Sequence, residues 1–454
     1  MRLQRFPRAS ADSARDLNLF TGSAFTLATQ VATYGLAGVT GIVLARALGP
    51  EGRGVYGLAV TIAMVYAAVV ELGMSKAGVY LLGQGRYTRQ QVASSNLAWA
   101  LVLGAPWLAG VLLVGLLKPD LLSDDFSKAH LAIIAAGGPL LLLLVLTQDL
   151  IIATGSVLGY NVVDFVQPFL RAVFIIGGLL ALGAGVTGVL AGWLLAVAAA
   201  TALALWLLSR RVRLRPAFRA DLLRAQLSFG IRGSLGFILQ AANQRLDVFL
   251  VAAFAGSAVL GQYTVAYGTA ELLWQIPLAL GVVFFPKVAS LGPEASAETA
   301  AVTCRRALFV TLAASAALLL LGRPLILLLY GRAFEPAVTA FYILLPSASL
   351  YTVYKVLSNA LAARGMPEAG LYGGLVSAPL TVALGLLLIP SLGMAGAALT
   401  SVAAYGANAA VVLVCFLRAT GKPLQDVLML RRADVSSSLR AARALLRPGT
   451  VGVE

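Results

Sequence analysis

Long apolar runs recur along nearly the whole of this 454-residue chain. A run of about 18 apolar residues lets a helix cross the hydrocarbon core of a membrane, which is roughly 30 Å thick. Only helices and closed barrels satisfy their backbone in lipid, and these runs are continuous, whereas barrel strands alternate apolar and polar residues. The mean hydropathy is +0.88, and charged residues make up only 12% of the chain. The sequence therefore predicts an all-α, polytopic membrane protein.

Twelve transmembrane helices are predicted, and the connections between them are too short for a soluble domain. The predicted spans are 18–46, 54–74, 91–117, 129–153, 158–182, 186–209, 227–253, 259–285, 302–329, 336–362, 368–390 and 393–418. We expect two six-helix bundles, 18–209 and 227–418, joined by a basic cytosolic linker, 210–226. A cytosolic N-terminal tail, 1–17, and a basic cytosolic C-terminal tail, 419–454, complete the predicted organisation.

Basic residues are distributed unevenly between the two sides of the membrane. With the N-terminus in the cytosol, 24 of the 34 Lys and Arg residues lie in predicted cytosolic segments and six lie on the other side. By the positive-inside rule, both termini are predicted to be cytosolic, in the cytoplasmic (inner) membrane. The same bias explains the net charge of +15 without nucleic acid as a partner. The tail "DVSSSLRAARALLRP" fits either a basic amphipathic helix on anionic lipids or a disordered segment.

The sequence contains no motif for catalysis, nucleotides or metals. Cys304 and Cys415 lie far apart in sequence and predict neither a disulfide framework nor a metal site. His130, the only histidine, sits at a predicted membrane edge, where an interfacial role is commoner than a catalytic one. A GxxxxGK[ST] phosphate loop and an HExxH motif are both absent. We therefore expect no enzymatic activity and no cofactor, which disfavours an ATP-driven pump and a membrane glycosyltransferase.

Two loops repeat one pattern about half a chain apart. The segments "ALGPEGRGVYGLA" and "FAGSAVLGQYTVA" share residues at an offset of 207, namely Gly49, Gly54, Tyr56 and Ala59 against Gly256, Gly261, Tyr263 and Ala266. A second match, at an offset of 208, pairs Gly185 and Gly188 with Gly393 and Gly396. This spacing indicates a duplicated six-helix unit whose copies enter the membrane from the same face. Such repeats are typical of transporters that alternate access around a central cleft, so transport is the predicted activity.

Charged residues lie inside several of the predicted spans. Each costs on the order of 2.5–3.5 kcal/mol at the centre of the membrane, so such residues usually pair or face a watery cavity. Arg245 lies near mid-membrane, roughly 15 Å along its helix from Gly256. Asp247 is two residues further along and points about 200° away, so the two are not expected to pair with each other.

An anionic substrate accounts for the excess of buried cations. Arg binds phosphate bidentately and Lys binds it as a point charge, which favours a diphosphate. Substrate binding is therefore predicted for Arg245, Arg171, Arg232 and Lys355. An ion-coupling or structural role is predicted for Asp247, Glu271, Asp164 and Asp149. Two alternatives remain, that Arg171 and Arg245 form salt bridges with Asp164, Asp149 or Glu271 to hold the bundle, and that Arg232 and Lys355 snorkel to the surface.

Several segments resemble one family of transporters. They are "LARALGPEGRGVYGLA", "ELGMSKAGVY", "RLDVFLVAAFAGSAVLGQYTVAY", "FFPKVASL", "YGRAFEPA" and "LIPSLGMAGAALTSVAAYG". From about Phe20 to Leu417, the chain resembles the oligosaccharide flippase or polysaccharide transporter (Wzx-like) family. That family belongs to the multidrug/oligosaccharidyl-lipid/polysaccharide exporter superfamily. Arg245 and Asp247 in "QRLDVFL" match an Arg-x-Asp pattern that is frequent in the seventh span of the family.

The resemblance implies a two-lobed, twelve-helix flippase. Its expected partners are a polyprenyl-diphosphate-linked glycan and membrane lipids, together with a polysaccharide polymerase and glycosyltransferases in exopolysaccharide, O-antigen or capsule assembly. One alternative is an ion-coupled multidrug antiporter of the related MATE type, although its cationic substrates require an acidic, aromatic-lined site. Another is a membrane scaffold that organises glycan assembly without transport.

Overall fold

A computed structural model describes the backbone of residues 9–117, 125–183, 185–431 and 434. Its described side chains are those of residues 29–117, 125–180, 183, 185–231, 239, 244–281, 284, 285, 287–431 and 434. Three sequence predictions fall outside these ranges. They concern the charges of the N-terminal tail, the side chain of Arg232 and the nature of the C-terminal segment 435–454.

Twelve α-helices make up the described chain, in which no strand occurs. They are α1 (Ala9–Glu71), α2 (Met74–Gly83), α3 (Arg89–Leu117), α4 (Lys128–Ala153), α5 (Val157–Leu182), α6 (Val186–Ser209), α7 (Ala220–Glu271), α8 (Gln275–Ala289), α9 (Pro293–Tyr330), α10 (Ala337–Ala363), α11 (Glu368–Thr420) and α12 (Leu424–Leu428). Short 3₁₀ turns at Leu272–Trp274 and Arg332–Phe334 follow α7 and α9.

Three of these helices bend at a glycine and hold two predicted spans each. The bends are at Gly49 (φ 68°, ψ −175°), Gly256 (φ 79°, ψ 172°) and Gly393 (φ 55°, ψ −129°). Positive φ values favour glycine because it lacks a Cβ atom. Nine described helices are long and apolar enough to cross a membrane, and with three of them bent they correspond to the twelve predicted spans. The predicted all-α, polytopic fold is confirmed.

The chain forms two compact units. Unit 1 contains residues 1–48 and 59–234, and unit 2 contains residues 49–58 and 235–454. In unit 1, the buried side chain of Gln226 fixes the start of α7 to α3. Its Nε2 donates to Oδ1 of Asn96 at 3.0 Å, and its Oε1 accepts from the hydroxyl of Ser95 at 2.7 Å.

Unit 2 contains a close crossing of two helix segments, Gly49–Leu58 and the part of α7 that follows Gly256. A Cβ atom added to Gly54 would lie 1.8 Å from the carbonyl oxygen of Ser257. Reciprocally, a Cβ atom added to Gly261 would lie 1.8 Å from the carbonyl oxygen of Pro50. The two glycines that the sequence pairs at an offset of 207 therefore play equivalent parts, as expected of duplicated segments.

We predict that Gly54→Ala destabilises the protein strongly, because the methyl group has no space without movement of the Ser257 backbone. Overpacking of this kind costs about 1–3 kcal/mol or more. The measurement is the midpoint of thermal unfolding and the yield of monodisperse protein in detergent. Gly57→Ala is the matched control, since its Cβ atom would lie 3.5 Å from Cγ2 of Thr264, an ordinary contact. Equal unfolding midpoints for the two variants would contradict the close crossing.

The segment after α11 docks on the N-terminal part of α9. Arg305 of α9 is 2% exposed, and its Nε donates to Oδ2 of Asp434 at 2.9 Å. The same guanidinium donates to the carbonyl oxygen of Asp426, and Val427 of α12 is fully buried. The pKa of Asp434 would be raised by burial, but hydrogen bonds from Arg305 and from the backbone N–H of Arg431 outweigh burial and lower it. The docked segment therefore depends on one buried ion pair.

We predict that Asp434→Asn releases this segment, because a buried Arg305 without its counter-charge costs about 3–5 kcal/mol. Faster tryptic cleavage after Arg431 would report the release. Glu335→Gln is the control, because it breaks the exposed pair with Arg323, a contact worth about 0–1 kcal/mol that does not involve Arg431. Since the pKa of Asp434 is lowered, its contribution to stability should be fully present above its ordinary pKa of 3.8, which includes the pH of the tryptic assay, and should be lost only at lower pH. Identical cleavage of the two variants would contradict this role.

Candidate functional site

Asp247 is a buried carboxylate with a complete set of hydrogen-bond donors. It lies in α7 and is 2% exposed. Its Oδ2 accepts from the Tyr263 hydroxyl at 2.5 Å and from the Ser401 hydroxyl at 3.2 Å. Its Oδ1 accepts from the backbone N–H of Val248 at 2.8 Å. These donors replace the water that the carboxylate loses on burial, so Asp247 is stable in place without an ion pair.

Arg245 is partly buried and has a different environment from Asp247. It lies close enough to Glu271 and Asp247, and to the hydroxyls of Tyr267 and Tyr405, for electrostatic interaction. In the part of the chain that the structure describes, however, no carboxylate lies within 4.0 Å of its guanidinium. The carboxylates of Glu271 and Asp247 thus stabilise the Arg245 cation electrostatically, without accepting a hydrogen bond from its guanidinium.

Aromatic side chains form a buried wall beside these charges. The Tyr267 and Tyr405 hydroxyls are 3.0 Å apart. The Trp274 ring stacks on Tyr351 with centroids 4.5 Å apart and meets Tyr405 edge-on at 5.1 Å. The buried indole N–H of Trp274 has no hydrogen-bond acceptor among the described residues. Together with Arg245, Asp247, Glu271 and Tyr263, we call this group the unit 2 polar cluster.

Lys355 lies in α10, one helical turn after Tyr351. Residues four apart share a helix face, so Lys355 is on the side of α10 that packs against Trp274. Its side chain is partly buried. Of the four predicted substrate-binding residues, Arg245 and Lys355 are therefore placed in unit 2, on elements that contribute to the unit 2 polar cluster.

The other predicted site residues with described side chains belong to unit 1. Arg171 lies in α5, and its buried Nε has no hydrogen-bond partner among the described residues. Asp164, two turns earlier on α5, accepts from Nε2 of Gln148 at 3.3 Å. Asp149 in α4 hydrogen-bonds with Ser75 and interacts with the charges of Glu71 and Lys76. In the described part of unit 1, neither carboxylate lies within 4.0 Å of Arg171.

Glu71 is a polar residue that the sequence analysis did not select. It ends α1, and its carboxylate accepts from the backbone N–H of Gly73 at 2.9 Å and of Ser75 at 2.8 Å. These are unpaired donors at the start of α2, so Glu71 ties the two helices together. An acidic residue just before a Gly and a Ser, as in "ELGMS", was the signal available in the sequence.

His130 closes the N-terminus of α4. Its Nδ1 accepts from the backbone N–H of Ser127 at 3.3 Å, and its Nε2 lies 2.9 Å from the Thr187 hydroxyl. Because both ring nitrogens make hydrogen bonds, we read His130 as a structural residue at the start of α4. No group of His, Cys, Asp and Glu side chains among the described residues has the arrangement of a metal site.

Long apolar helices that carry buried charges are those of a polytopic membrane protein, and comparison with known proteins gives its family. A family model described as "Polysaccharide biosynthesis protein" matches residues 43–339, about two thirds of the chain. The chain belongs to this family, so the resemblance drawn from the sequence is confirmed. No curated protein matches the sequence significantly.

Solved structures of membrane transporters share the fold. Lipid II flippase MurJ, in an inward closed conformation, has a TM-score of 0.75 at 13% identity, with 94% of each chain covered. An inward-facing MATE family multidrug transporter has a TM-score of 0.69 at 17% identity, covering 90% of this chain and 96% of that one. A MOP superfamily transporter from Pyrococcus furiosus, described as having a binding pocket of reverse polarity, has a TM-score of 0.60 at 16% identity. The match covers 89% of this chain and 95% of that one. The family supports the predicted role in polysaccharide biosynthesis, and the solved structures show that the fold is shared with transporters.

We predict that Tyr263→Phe destabilises the protein through Asp247. The loss of a donor to a buried carboxylate costs about 1–3 kcal/mol, which should lower the unfolding midpoint by a few degrees. In a double-mutant cycle, Tyr263→Phe should cost much less when Asp247→Asn is already present. Tyr354→Phe, which removes a buried hydroxyl bonded to Ser358, is the control and should cost the same in both backgrounds. Additive effects of Tyr263→Phe and Asp247→Asn would show that the two groups do not interact.

Proposed function

We propose that this protein is a flippase that translocates a polyprenyl-diphosphate-linked oligosaccharide across the cytoplasmic membrane, for exopolysaccharide, O-antigen or capsule biosynthesis. The observation that carries the proposal is Arg245. It is a cation at membrane depth whose guanidinium has no carboxylate within 4.0 Å in the described chain. An arginine that served only to hold a bundle would be paired, because an unpaired charge inside a membrane is expensive.

The residues have distinct proposed roles. Arg245, Arg171 and Lys355 bind the diphosphate, and Arg232 belongs to the same predicted set. Glu271 holds Arg245 in place by its charge until the substrate arrives. Asp247 already accepts from three hydrogen-bond donors. We therefore assign it to fixing the part of α7 before the bend to Tyr263 after the bend and to Ser401 of α11, which also positions Arg245. Asp164 and Asp149, which accept hydrogen bonds within unit 1, are assigned to structure or ion coupling.

The direction of transport follows from charge. With both termini in the cytosol, the substrate is loaded on the side where the membrane potential is negative. Each negative charge that moves outward then gains about 2.3 kcal/mol per 100 mV. The potential therefore assists export of a diphosphate, and a chain without a nucleotide-binding motif can use this source or an ion gradient.

One observation favours a second candidate function, an ion-coupled exporter of organic cations. Aromatic rings with adjacent carboxylates recognise such cations, and Tyr405, which contacts the rings of Trp274 and Tyr351, lies within electrostatic reach of Glu271 and Asp247. Arg245 argues against it, because its charge would repel a cation that entered the same cluster. A third possibility, a scaffold for glycosyltransferases and a polymerase, requires no buried cation.

We predict that Arg245→Ala and Arg171→Ala each reduce flipping at least tenfold while the protein still inserts and elutes as a single species. The assay is the transfer of a lipid-linked oligosaccharide between leaflets of proteoliposomes. Arg323→Ala is the matched control, because Arg323 is exposed and pairs with Glu335, and it should retain full activity. Arg245→Lys should retain part of the activity, since Lys keeps the charge but not the bidentate geometry.

The other two functions predict different properties for the same variants. A scaffold would support polysaccharide assembly in cells with either Arg→Ala substitution. A cation exporter would gain, rather than lose, affinity for its substrate when Arg245 is replaced, and would lose it with Glu271→Gln. Normal flipping by Arg245→Ala would contradict the proposal.

A further inference from the structure

A pocket lies in unit 1 where α2 and α4 end and α3 begins. It has a volume of about 420 Å³. Its described lining includes Val79 and Leu82 of α2, Tyr87, Thr88 and Arg89 around the start of α3, and Ala153 at the end of α4. The α2 and α4 walls are apolar, whereas the α3 wall supplies a guanidinium and two hydroxyls. None of these residues belongs to the predicted substrate-binding or ion-coupling set.

The wall at the start of α3 is held in place by reciprocal hydrogen bonds. The Thr88 backbone N–H donates to Oε1 of Gln91 at 2.9 Å, and the Gln91 backbone N–H donates to the Thr88 hydroxyl at 3.3 Å. This is a capping box, which satisfies donors that the start of a helix leaves free. Tyr87 and Ala153 also pack against a buried apolar cluster that includes Leu150. The pocket is therefore already formed, as ligand sites usually are.

Hydrogen bonds place two arginines of the basic linker beside this pocket. Arg211 donates from Nη1 to the carbonyl oxygen of Thr154 at 2.9 Å and to its hydroxyl at 2.7 Å, one residue beyond the α4 lining. The backbone of Arg213 exchanges two hydrogen bonds with the side-chain amide of Gln90, at 2.6 and 2.7 Å, one residue beyond the arginine of the lining. The linker thus runs along the pocket from the end of α4 to the start of α3.

The three arginines around the pocket have no acidic partner. Arg89, Arg211 and Arg213 are exposed, and no carboxylate lies within 4.0 Å of their guanidinium groups among the described residues. Further along the same linker, by contrast, Arg219 pairs with Asp221 at 3.2 Å. Like charges gathered around one pocket repel each other unless an anion neutralises them. Their arrangement therefore favours an anionic ligand.

Exposed aromatic rings place this end of unit 1 at the membrane–water interface. Tyr80 stacks on Phe229 with ring centroids 4.2 Å apart, and the two residues are 46% and 38% exposed. Trp206 is 52% exposed, and the Arg210 guanidinium lies 4.8 Å from its ring centroid. Amphipathic aromatic rings at the ends of membrane-spanning helices are typical of the headgroup level. The pocket therefore lies where lipid headgroups are, on the side predicted to be cytosolic.

We propose that this pocket binds the headgroup of an anionic phospholipid of the cytosolic leaflet. Arg89 and Arg211 bind the phosphate from the α3 and α4 sides, and Arg213 adds its charge. Val79 and Leu82 contact the glycerol and the first acyl carbons. Charge complementarity selects an anion, and the apolar α2 wall at headgroup level selects a lipid over a free phosphate. The bound lipid joins α3, α4 and the linker, and this role does not depend on which solute is transported.

Native mass spectrometry of the full-length protein in detergent tests the proposal. The probe is phosphatidylglycerol, with phosphatidylcholine as the neutral reference. We expect one phosphatidylglycerol to bind at least fivefold more tightly than phosphatidylcholine. Its affinity should fall about fivefold in Arg89→Gln and in Arg211→Gln, which is the contribution of one arginine beside an anionic lipid surface. Arg219→Gln is the matched control, because Arg219 belongs to the same linker and is already paired with Asp221, and it should keep the wild-type affinity.

Three results would overturn the lipid site. They are equal affinities for the two lipids, an unchanged affinity for phosphatidylglycerol in both Arg89→Gln and Arg211→Gln, and displacement of the lipid by inorganic phosphate at an equal concentration. The last result would identify a site for a free anion. The unfolding midpoint without added lipid guards against misfolding of Arg211→Gln, which loses contacts with Thr154. Arg89 is exposed and forms no ion pair among the described residues, so Arg89→Gln should keep the wild-type midpoint and still bind the lipid more weakly.

Discussion

The backbone of a chain in lipid has no water to bond, and this constraint governs the whole structure. Between two predicted spans the chain can turn back with almost no loop, by bending at a glycine with positive φ, as at Gly49, Gly256 and Gly393. At Gly54 and Gly261, glycine has a second purpose, because the absence of a side chain lets two helix backbones pack directly against each other. Close packing between apolar helices in lipid depends on such small residues, because water does not drive apolar surfaces together there.

The same scarcity of water explains why buried charges fall into two kinds. Arg305 and Asp434 form a buried pair whose partners are supplied by the chain, so their role is to hold a segment in place. Asp247 is likewise satisfied internally, by Tyr263, Ser401 and a backbone N–H. Arg245 keeps its charge near Glu271 without direct pairing. A charge that the chain stabilises but does not engage is suited to bind something from outside.

Patterns local in sequence were predictable, and contacts distant in sequence were not. Hydropathy located the spans, and the two repeat matches contain all three bend glycines, Gly49, Gly256 and Gly393, because each pattern depends on neighbouring residues. The segment "QRLDVFL" likewise predicted that Arg245 and Asp247 are charged residues inside a span. Ser401 and Tyr405, by contrast, reach their partners Tyr263 and Tyr267 across 138 residues, and nothing near Ser401 or Tyr405 marks them as polar partners of α7. The sequence identifies Tyr263 only as part of the repeat. Its hydroxyl contact with Asp247 is not predictable, because the bend at Gly256 is needed to bring the two side chains together.

The duplicated half of the chain shows that the fold does not need the charges of α7. At the offset of 207 residues, Arg245 and Asp247 correspond to Gly38 and Thr40. The Thr40 hydroxyl only donates to the carbonyl oxygen of Leu36, as helical threonines commonly do, and nothing lies within 4 Å of a Cβ atom added to Gly38. The equivalent helix, bent at the equivalent glycine, thus forms without either charge. Since Asp247 is engaged by Tyr263 and Ser401, it is Arg245, a charge that is expensive at this depth and that no carboxylate pairs directly among the described residues, that is best explained by what the second copy binds.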